Sequence, residues 1–242
     1  MEKFFSIIIP VHNAESKIKK TLNSIIAQSI NDYECIIMDG ESTDKTLDFI
    51  NDYVNKYPNI KCFSQRDSGI YDAMNNGVER ATGKYVIFMG AGDVLFDNNV
   101  LECVMRQIKC NSRKDVYYGY VMYDYEGKLE KYDKRINYMY TILVRPVSHQ
   151  AIFSGRNVFD KVKFDCHYRV AADQDWIIRV YKNKFKIQYL NTPIVIYDTM
   201  GVSSSEKGKI EGTNEIKESQ RRQYPIRAKI HKILATIKNG KI

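Results

Sequence analysis

Cysteine and proline are scarce, at five residues each in 242. The cysteines (Cys35, Cys62, Cys103, Cys110 and Cys166) are odd in number, scattered and never two residues apart, which argues against a disulfide framework or a zinc site and points to a reducing cytoplasm. No apolar run approaches the roughly 18 residues that span a bilayer. The apolar stretch behind Met1-Glu2-Lys3 stops at Pro10 without a small-residue cleavage site, so neither a membrane anchor nor a signal peptide is expected. The P-loop spacing, a Gly-x-Gly-x-x-Gly after the first strand-like run and a Gly-x-Ser-x-Gly elbow are all missing, which removes the P-loop ATPase, dehydrogenase and hydrolase readings. Acid is missing from one place: residues 219–242 hold Arg221, Arg222, Arg227, Lys229, Lys232, Lys238 and Lys241 and no Asp or Glu. The net charge of +8 therefore sits almost wholly in that tail, leaving 30 basic against 29 acidic side chains in the first 218 residues. A near-neutral body does not suit nucleic acid as the main partner.

What is present is an ordinary globular composition, 44% apolar and 27% charged. Short β-branched runs at Phe4–Ile9, Cys35–Met38, Ile60–Phe63 and Tyr85–Met89 read as strands, the first stopped by Pro10. Between them, Ile18, Leu22, Ile25 and Ile26, then Leu47, Ile50 and Val54, recur at helical spacing, the second helix capped by Ser42 or Thr43 with Asp44 near its positive end. Repeated β-α-β units with continuous apolar strands imply an α/β fold with a mainly parallel sheet. Asn13, Asp39, Asp67 and Asp93 follow the four strands at intervals of 26, 28 and 26 residues, which places them at the strand carboxyl ends where open α/β sheets bind ligands. Three carboxylates gathered there repel one another unless a cation sits among them.

Beyond residue 110 the pattern turns antiparallel and rich in tyrosine. Val116 to Tyr123 and Leu129 to Tyr132 read as strands joined by a turn at Glu126-Gly127-Lys128. Residues 172–182 read as a helix with Trp176, Ile177 and Val180 inward, and Ile187–Leu190 and Ile194–Tyr197 as short strands flanking Pro193. Gly201 to Ser205 reads as a mobile loop. Trp176 and the many tyrosines are by default core and rim packing, with Tyr71 and some of Tyr117 to Tyr123 as the alternatives that would stack on a ligand's rings.

Four segments together carry a resemblance: Ser6-Ile-Ile-Ile-Pro-Val-His-Asn13, Asp39-Gly-Glu-Ser-Thr-Asp44, Asp67-Ser-Gly-Ile-Tyr-Asp-Ala-Met-Asn-Asn-Gly77 and Gly83-Lys-Tyr-Val-Ile-Phe-Met-Gly-Ala-Gly-Asp93. In that order they resemble the family 2 glycosyltransferases of the GT-A fold, in particular the bacterial branch that builds surface polysaccharides such as O-antigen or capsule. Ser148-His149-Gln150, Ala172-Asp-Gln-Asp-Trp176 and Gly201-Val-Ser-Ser204 extend the match more thinly. The resemblance implies a GT-A domain over 1–218, with a nucleotide-sugar-binding half (1–110) and a smaller antiparallel acceptor half (111–218), followed by the tail 219–242.

By the same resemblance, Pro10, Asn13 and Glu15 shape a nucleotide pocket, Asp39 hydrogen-bonds base or ribose, and Asp67 extends the pocket. Arg66 is either a diphosphate or base contact or a solvated surface charge. Asp72 and Asn75, three apart, share a helix face that would point to the donor. Relatives carry Asp-x-Asp-Asp or Asn-x-Asp-Asp where this chain has Gly90-Ala91-Gly92-Asp93, so Asp93 alone remains to hold Mn²⁺ or Mg²⁺. An inverting transfer needs a base for the acceptor hydroxyl. Asp173 holds that place, with Asp175 as the runner-up or as a helix-terminal carboxylate, and His149 and Gln150 would contact acceptor or phosphate.

In the tail, Ile226, Ile230, Ile233, Leu234 and Ile237 fall on one helix face flanked by Arg227, Lys229, Lys232 and Lys238. A basic amphipathic helix of this kind suits the cytoplasmic face of the inner membrane, and packing on the body or homodimerisation is the alternative. The expected activity is transfer from a UDP- or GDP-sugar to a hydroxyl of a polyprenyl-diphosphate-linked glycan. The rival is a non-catalytic nucleotide-sugar or glycan-binding subunit of the same fold.

Overall fold

The computed structural model describes residues 2–111, 114–125, 127–132, 148–199 and 205–225. Glu126 of the expected turn, the loop residues 201–204 and the amphipathic stretch 226–242 lie outside the described residues.

The first half folds as its periodicity implies. Strands β1 (Phe5–Val11), β2 (Tyr33–Asp39), β3 (Ile60–Ser64) and β4 (Tyr85–Phe88) pair in parallel in the order β3-β2-β1-β4. Helices α1 (Ile18–Ile26), α2 (Thr46–Lys56) and α3 (Ile70–Arg80) make the crossovers. β1 and β2 are buried at every position, and α1 buries Ile18, Leu22 and Ile25.

Two boundaries differ from the sequence reading. β1 continues through Pro10 to Val11. The Ile8 carbonyl accepts from Met89 on the β4 side and the Val11 carbonyl from Gly40 on the β2 side. Strand alternation therefore turns the missing N–H of Pro10 toward β4, whose pairing has already ended at Ile8, and no ladder bond is lost. α2 begins at Thr46 rather than behind a Ser42 or Thr43 cap, because those residues bind the neighbouring loop: Ser42 Oγ accepts from Asn13 N (2.9 Å) and Thr43 N donates to Asn13 Oδ1 (2.9 Å).

At the opposite, amino-terminal edge of the sheet, buried Glu34 accepts from Ser6 Oγ (2.8 Å), from the N and Oγ1 of Thr82 (2.6 and 2.8 Å) and from Gly83 N (3.2 Å). Burial pushes its carboxyl upward, but the Thr82 and Ser6 hydrogen bonds and the charge of Lys61 outweigh it and leave the pKa below the usual glutamate value. Gly83 is required there, since a Cβ would lie 2.6 Å from both the Phe5 carbonyl carbon and Ser6 Oγ.

The second half comprises β5 (Val94–Leu95), α4 (Val100–Cys110), β6 (Val116–Tyr125), β7 (Lys128–Tyr132), β8 (Ile152–Gly155), α5 (Arg156–Phe159), α6 (Ala172–Lys182), β9 (Ile187–Tyr197) and α7 (Glu206–Gln223). One sheet runs β3-β2-β1-β4-β8-β6-β9-β5, with β7 paired to β6 outside that path. The added strands pair antiparallel except β6 with β9, which is parallel. The two short strands expected around Pro193 are one strand, β9, carrying an irregularity opposite Tyr118–Val121, with Asn191 at φ 49°. The chain continues through Pro193, which faces Tyr120 between two register shifts, the irregular setting in which a strand tolerates proline. Gly119 faces it, and a Cβ at Gly119 would overlap the Thr192 carbonyl.

α6 presents Trp176, Ile177 and Val180 inward, as its spacing implies. Trp176 stacks on Phe159 (5.2 Å between centroids) and donates from Nε1 to the Val162 carbonyl (2.7 Å). α7 straddles the expected boundary at 218/219. Ser219 is buried and donates to Asp175 Oδ1 (2.6 Å), and Arg222, counted in the tail, pairs with Asp165 (3.0 Å). Among the described residues no helix is long and apolar enough to cross a membrane.

Candidate active site

The loops at the carboxyl ends of β1, β2 and β3 are tied into one web. Asp39, 1% exposed at the end of β2, accepts from Ser64 Oγ (2.6 Å) and Ser42 N (3.1 Å) on Oδ2. Asn13 sits at φ 48°, a left-handed conformation asparagine tolerates, and bridges to Ser42 and Thr43. His12 Nδ1 lies 2.9 Å from the Gly40 carbonyl, with its Nε2 3.1 Å from Asn13 Nδ2. Since the carbonyl can only accept, Nδ1 carries the proton and Nε2 accepts from Asn13. Glu15 accepts from Lys45 N (2.9 Å), and Asp67 lies against Gly40, where a Cβ would come within 2.8 Å of its Oδ2. Arg66 is exposed beside it.

Asp72 and Asn75 do not share a donor-facing surface. Asp72 accepts from the N (2.9 Å) and Oγ (3.0 Å) of Ser68 and so closes the first turn of its own helix. Asn75 exchanges two 3.0 Å hydrogen bonds with the Phe164 backbone, docking α3 onto the second half. Both are committed to structure.

Asp93, 2% exposed, accepts from Gly90 N on Oδ2 (2.7 Å) and from Asp198 N on Oδ1 (2.9 Å), knotting the β4–β5 loop to the end of β9. Burial raises its pKa against those backbone hydrogen bonds, His149 and a side-chain hydrogen bond from Gln150. Gly92, at φ 105°, donates its N–H to Thr21 Oγ1 (2.8 Å), and a Cβ there would lie 2.5 Å from Asp198 Oδ2. A second carboxylate at this position would have no room. Asp198 pairs with Lys17 (2.5 Å). The donor set therefore does not fit a divalent metal held by side chains. Both oxygens of Asp93 face backbone N–H groups, Asp198 is neutralised by a lysine, and among the described residues no three His, Cys, Asp or Glu side chains gather as ligands. Hydroxyl and backbone donors meet each of Asp39, Asp67 and Asp93.

Asp93, His149, Gln150 and Asp173 line one open cleft. Asp173, in the first turn of α6, accepts on Oδ1 from Gln174 N (2.8 Å) and Tyr71 OH (3.2 Å), and on Oδ2 from His149 Nδ1 (2.9 Å) and Gln174 Nε2 (3.3 Å). Tyr71, a candidate for sugar stacking, is buried, and its single hydroxyl proton lies between the Val170 carbonyl (2.9 Å) and Asp173 Oδ1 (3.2 Å). Burial and the Asp173 charge push its pKa well above the usual tyrosine value, so it remains a donor. Asp175 is structural: it lies 2.5 Å from Arg179 Nε and holds Ser219. Gln150 is buried and bonded to Ser148 Oγ.

Several site residues carry no sequence signal. Tyr132 and Tyr197 reach the cleft from two different strands, beside Tyr123 from the stretch expected to stack on ligand rings. Glu215 of α7 accepts from the backbone N–H of Arg169 (2.8 Å), Val170 (3.0 Å) and Ala171 (2.8 Å), just before α6. The Lys17–Asp198 pair joins residues 181 apart in sequence.

The family model described as "Glycosyl transferase family 2" matches residues 6–185. A "PGL/p-HBAD biosynthesis glycosyltransferase" of Mycobacterium tuberculosis is 34% identical over 200 residues, 81% of this chain and 77% of that protein. Among solved structures, S. aureus TarS 1-349 in complex with UDP superimposes with a TM-score of 0.71 at 20% identity over 91% of this chain. The mannosyltransferase PcManGT of Pyrobaculum calidifontis, in complex with GDP-Man and Mn²⁺, gives 0.71 at 14% identity over 92%. This chain spans 65% of each of those two solved chains.

Proposed function

The chain belongs to glycosyl transferase family 2, and from that membership we propose that it inverts the anomeric centre of a UDP- or GDP-sugar while moving the sugar to a hydroxyl of a lipid-linked glycan in surface-polysaccharide biosynthesis. It is a glycosyltransferase with the GT-A fold. The observation that carries the finer reading is the proton-accepting centre Asp173–His149, open on a cleft that also holds Asp93.

The nucleotide would lie on the web of Asn13, Asp39 and Asp67, with Pro10 and Glu15 shaping its edges. Asp39 Oδ1 keeps acceptor capacity for a base N–H or ribose hydroxyl, its one described contact being Ser42 N at 3.4 Å. The sugar then extends toward Asp93 and the acceptor enters beside Asp173, with Tyr123, Tyr132 and Tyr197 offering aromatic faces to it. Mn²⁺ or Mg²⁺ would rest mainly on the donor's diphosphate beside Asp93, where it would offset the charge of the leaving group.

A panel of UDP- and GDP-sugars, with and without Mn²⁺, tests donor recognition by thermal stabilisation. One nucleotide class should raise the melting temperature, and Asp39→Asn should weaken its affinity by roughly 10- to 100-fold, the size of a lost hydrogen bond to a charged group. Equal affinity in the variant would place the nucleotide elsewhere.

The basic stretch is proposed to hold the enzyme on an anionic membrane surface, where a lipid-linked acceptor is found. Truncation belongs after residue 225, since Ser219 and Arg222 brace the body. Removing 226–242 should abolish sedimentation with phosphatidylglycerol vesicles and leave donor affinity intact. Unchanged sedimentation would leave packing on the body or dimerisation as the tail's role.

A further inference from the structure

We propose that a side pocket of the cleft, between the start of α3 and the start of α7, holds a phosphate group of the acceptor, with Arg169 as its principal contact and Lys207 as its second. This rests on the transfer reading above and gives the acceptor a chemical class: a sugar or polyol whose reacting unit is joined to phosphate.

The pocket continues the cleft. Ile70, Tyr71, Arg169 and Val170 line both, and Lys207 and Glu211 of α7 stand beyond them. Arg169 comes four residues before Asp173, a stretch that spans at most about 14 Å, and Tyr71 of the shared wall lies 3.2 Å from Asp173. A phosphate on Arg169 therefore sits on the Asp173 side of the cleft, where the acceptor hydroxyl enters. The other edge of the pocket, Ser68 and Gly69, adjoins Asp67 of the nucleotide web, so the donor's diphosphate is the competing occupant.

Two cations here are placed without being neutralised. The backbone N–H of Arg169 donates to Glu215 (2.8 Å), and Glu215 also takes the next two N–H groups, so the residue is anchored while its side chain stays exposed. Among the described residues neither its guanidinium nor the exposed ammonium of Lys207 makes a hydrogen bond or an ion pair. By contrast Arg156, Arg179 and Arg222 each meet a carboxylate. An arginine fork matches a phosphate in two parallel hydrogen bonds.

Two carboxylates share the pocket. Asp72 is held by the N (2.9 Å) and Oγ (3.0 Å) of Ser68 and by Asn76 Nδ2 (3.4 Å), which leaves Glu211 to accept from hydroxyls. Cations for phosphate, a carboxylate for hydroxyls and the apolar side chain of Ile70, 45% exposed, together suit a phosphorylated carbohydrate better than a bare anion or an apolar chain.

Spectra of the arginine Nε–H groups of the full chain test this, the Arg169 signal being identified by its loss in Arg169→Gln. Protein saturated with UDP or GDP, whichever it binds, is titrated with inorganic pyrophosphate, standing for a diphosphate-linked acceptor, and with glycerol 1-phosphate, standing for a polyol phosphate. At least one should move the Arg169 signal saturably, and the tighter of the two identifies the source of the phosphate. Its calorimetric affinity should fall about 10-fold in Arg169→Gln and by less in Lys207→Gln and Arg169→Lys. Melting temperatures should not change, because neither side chain has an internal partner to lose. A signal that neither probe moves, or an equal affinity in Arg169→Gln, overturns the proposal. A signal that moves with the nucleotide alone and no further with either probe puts Arg169 in the donor site, and overturns it while leaving the transfer reading intact. A chain that binds neither UDP nor GDP overturns the transfer reading and the proposal with it.

Discussion

Asp173→Asn should lower the transfer rate by about 10²- to 10⁴-fold, the contribution of a positioned proton acceptor. The direction follows from how the carboxylate is held. Oδ1 accepts from Gln174 N, a backbone donor that cannot reverse. The amide oxygen of asparagine must take that position, which puts its NH₂ where Oδ2 now faces His149 Nδ1. An N–H presented to Nδ1 selects the opposite tautomer. Single-turnover kinetics with a radiolabelled donor, beside calorimetric nucleotide affinity, check this. Affinity should stay within about twofold while the chemical step collapses, because the change touches only the transition state. If affinity falls in step with the rate, Asp173 is part of the donor site. A wild type that binds donor and never turns over would favour the non-catalytic rival.

The parallel half of the fold was legible because its information is local. Each strand is a short β-branched run, each helix an apolar stripe at 3.6-residue spacing, and the polar residue after each strand marks the binding edge. Asp173 and His149 were legible only through their motifs; spacing alone does not bring residues 24 apart within 2.9 Å. Sequence erred where a side chain had two physically reasonable uses. Asp72 and Asn75 do lie on one helix, but the N-terminus of that helix and the Phe164 backbone claim them. The lack of a second carboxylate at residue 92 has its reason in the positive φ of Gly92 and the crowding by Asp198. Neither is visible without β9, whose return beside β5 brings Asp198 back to the β4 loop. The tail charge was counted correctly, yet helix α7 spends its first members on the body, because a charge count cannot see that Arg222 meets Asp165.

The same helix sets the second large effect. Glu215→Ala should destabilise the protein by about 2–4 kcal/mol, since one carboxylate accepts three backbone N–H groups and two of these bonds are partly buried. For a chain of this size that is a fall of roughly 5–12 °C in melting temperature. The loss would not stay local. Ala171 precedes α6 without a side-chain cap of its own, so Glu215 does from another helix what a capping side chain would do, placing negative charge at the helix's positive end. Asp173 lies in the first turn of that helix, and Tyr71, which fixes Asp173, also donates to the Val170 carbonyl in the braced segment. Releasing residues 169–171 therefore shifts the His149–Asp173 pair, and a displacement of about 1 Å at a reacting group costs on the order of 10²-fold in rate. Thermal denaturation together with kcat, measured well below both transitions, separates the two consequences. Glu215→Gln keeps an acceptor oxygen and should fall between wild type and alanine on both measures. A lowered melting temperature with unchanged kcat would show that Asp173 is held by His149 and by Tyr71 of α3 alone, and that α7 braces the fold without setting the geometry of proton transfer.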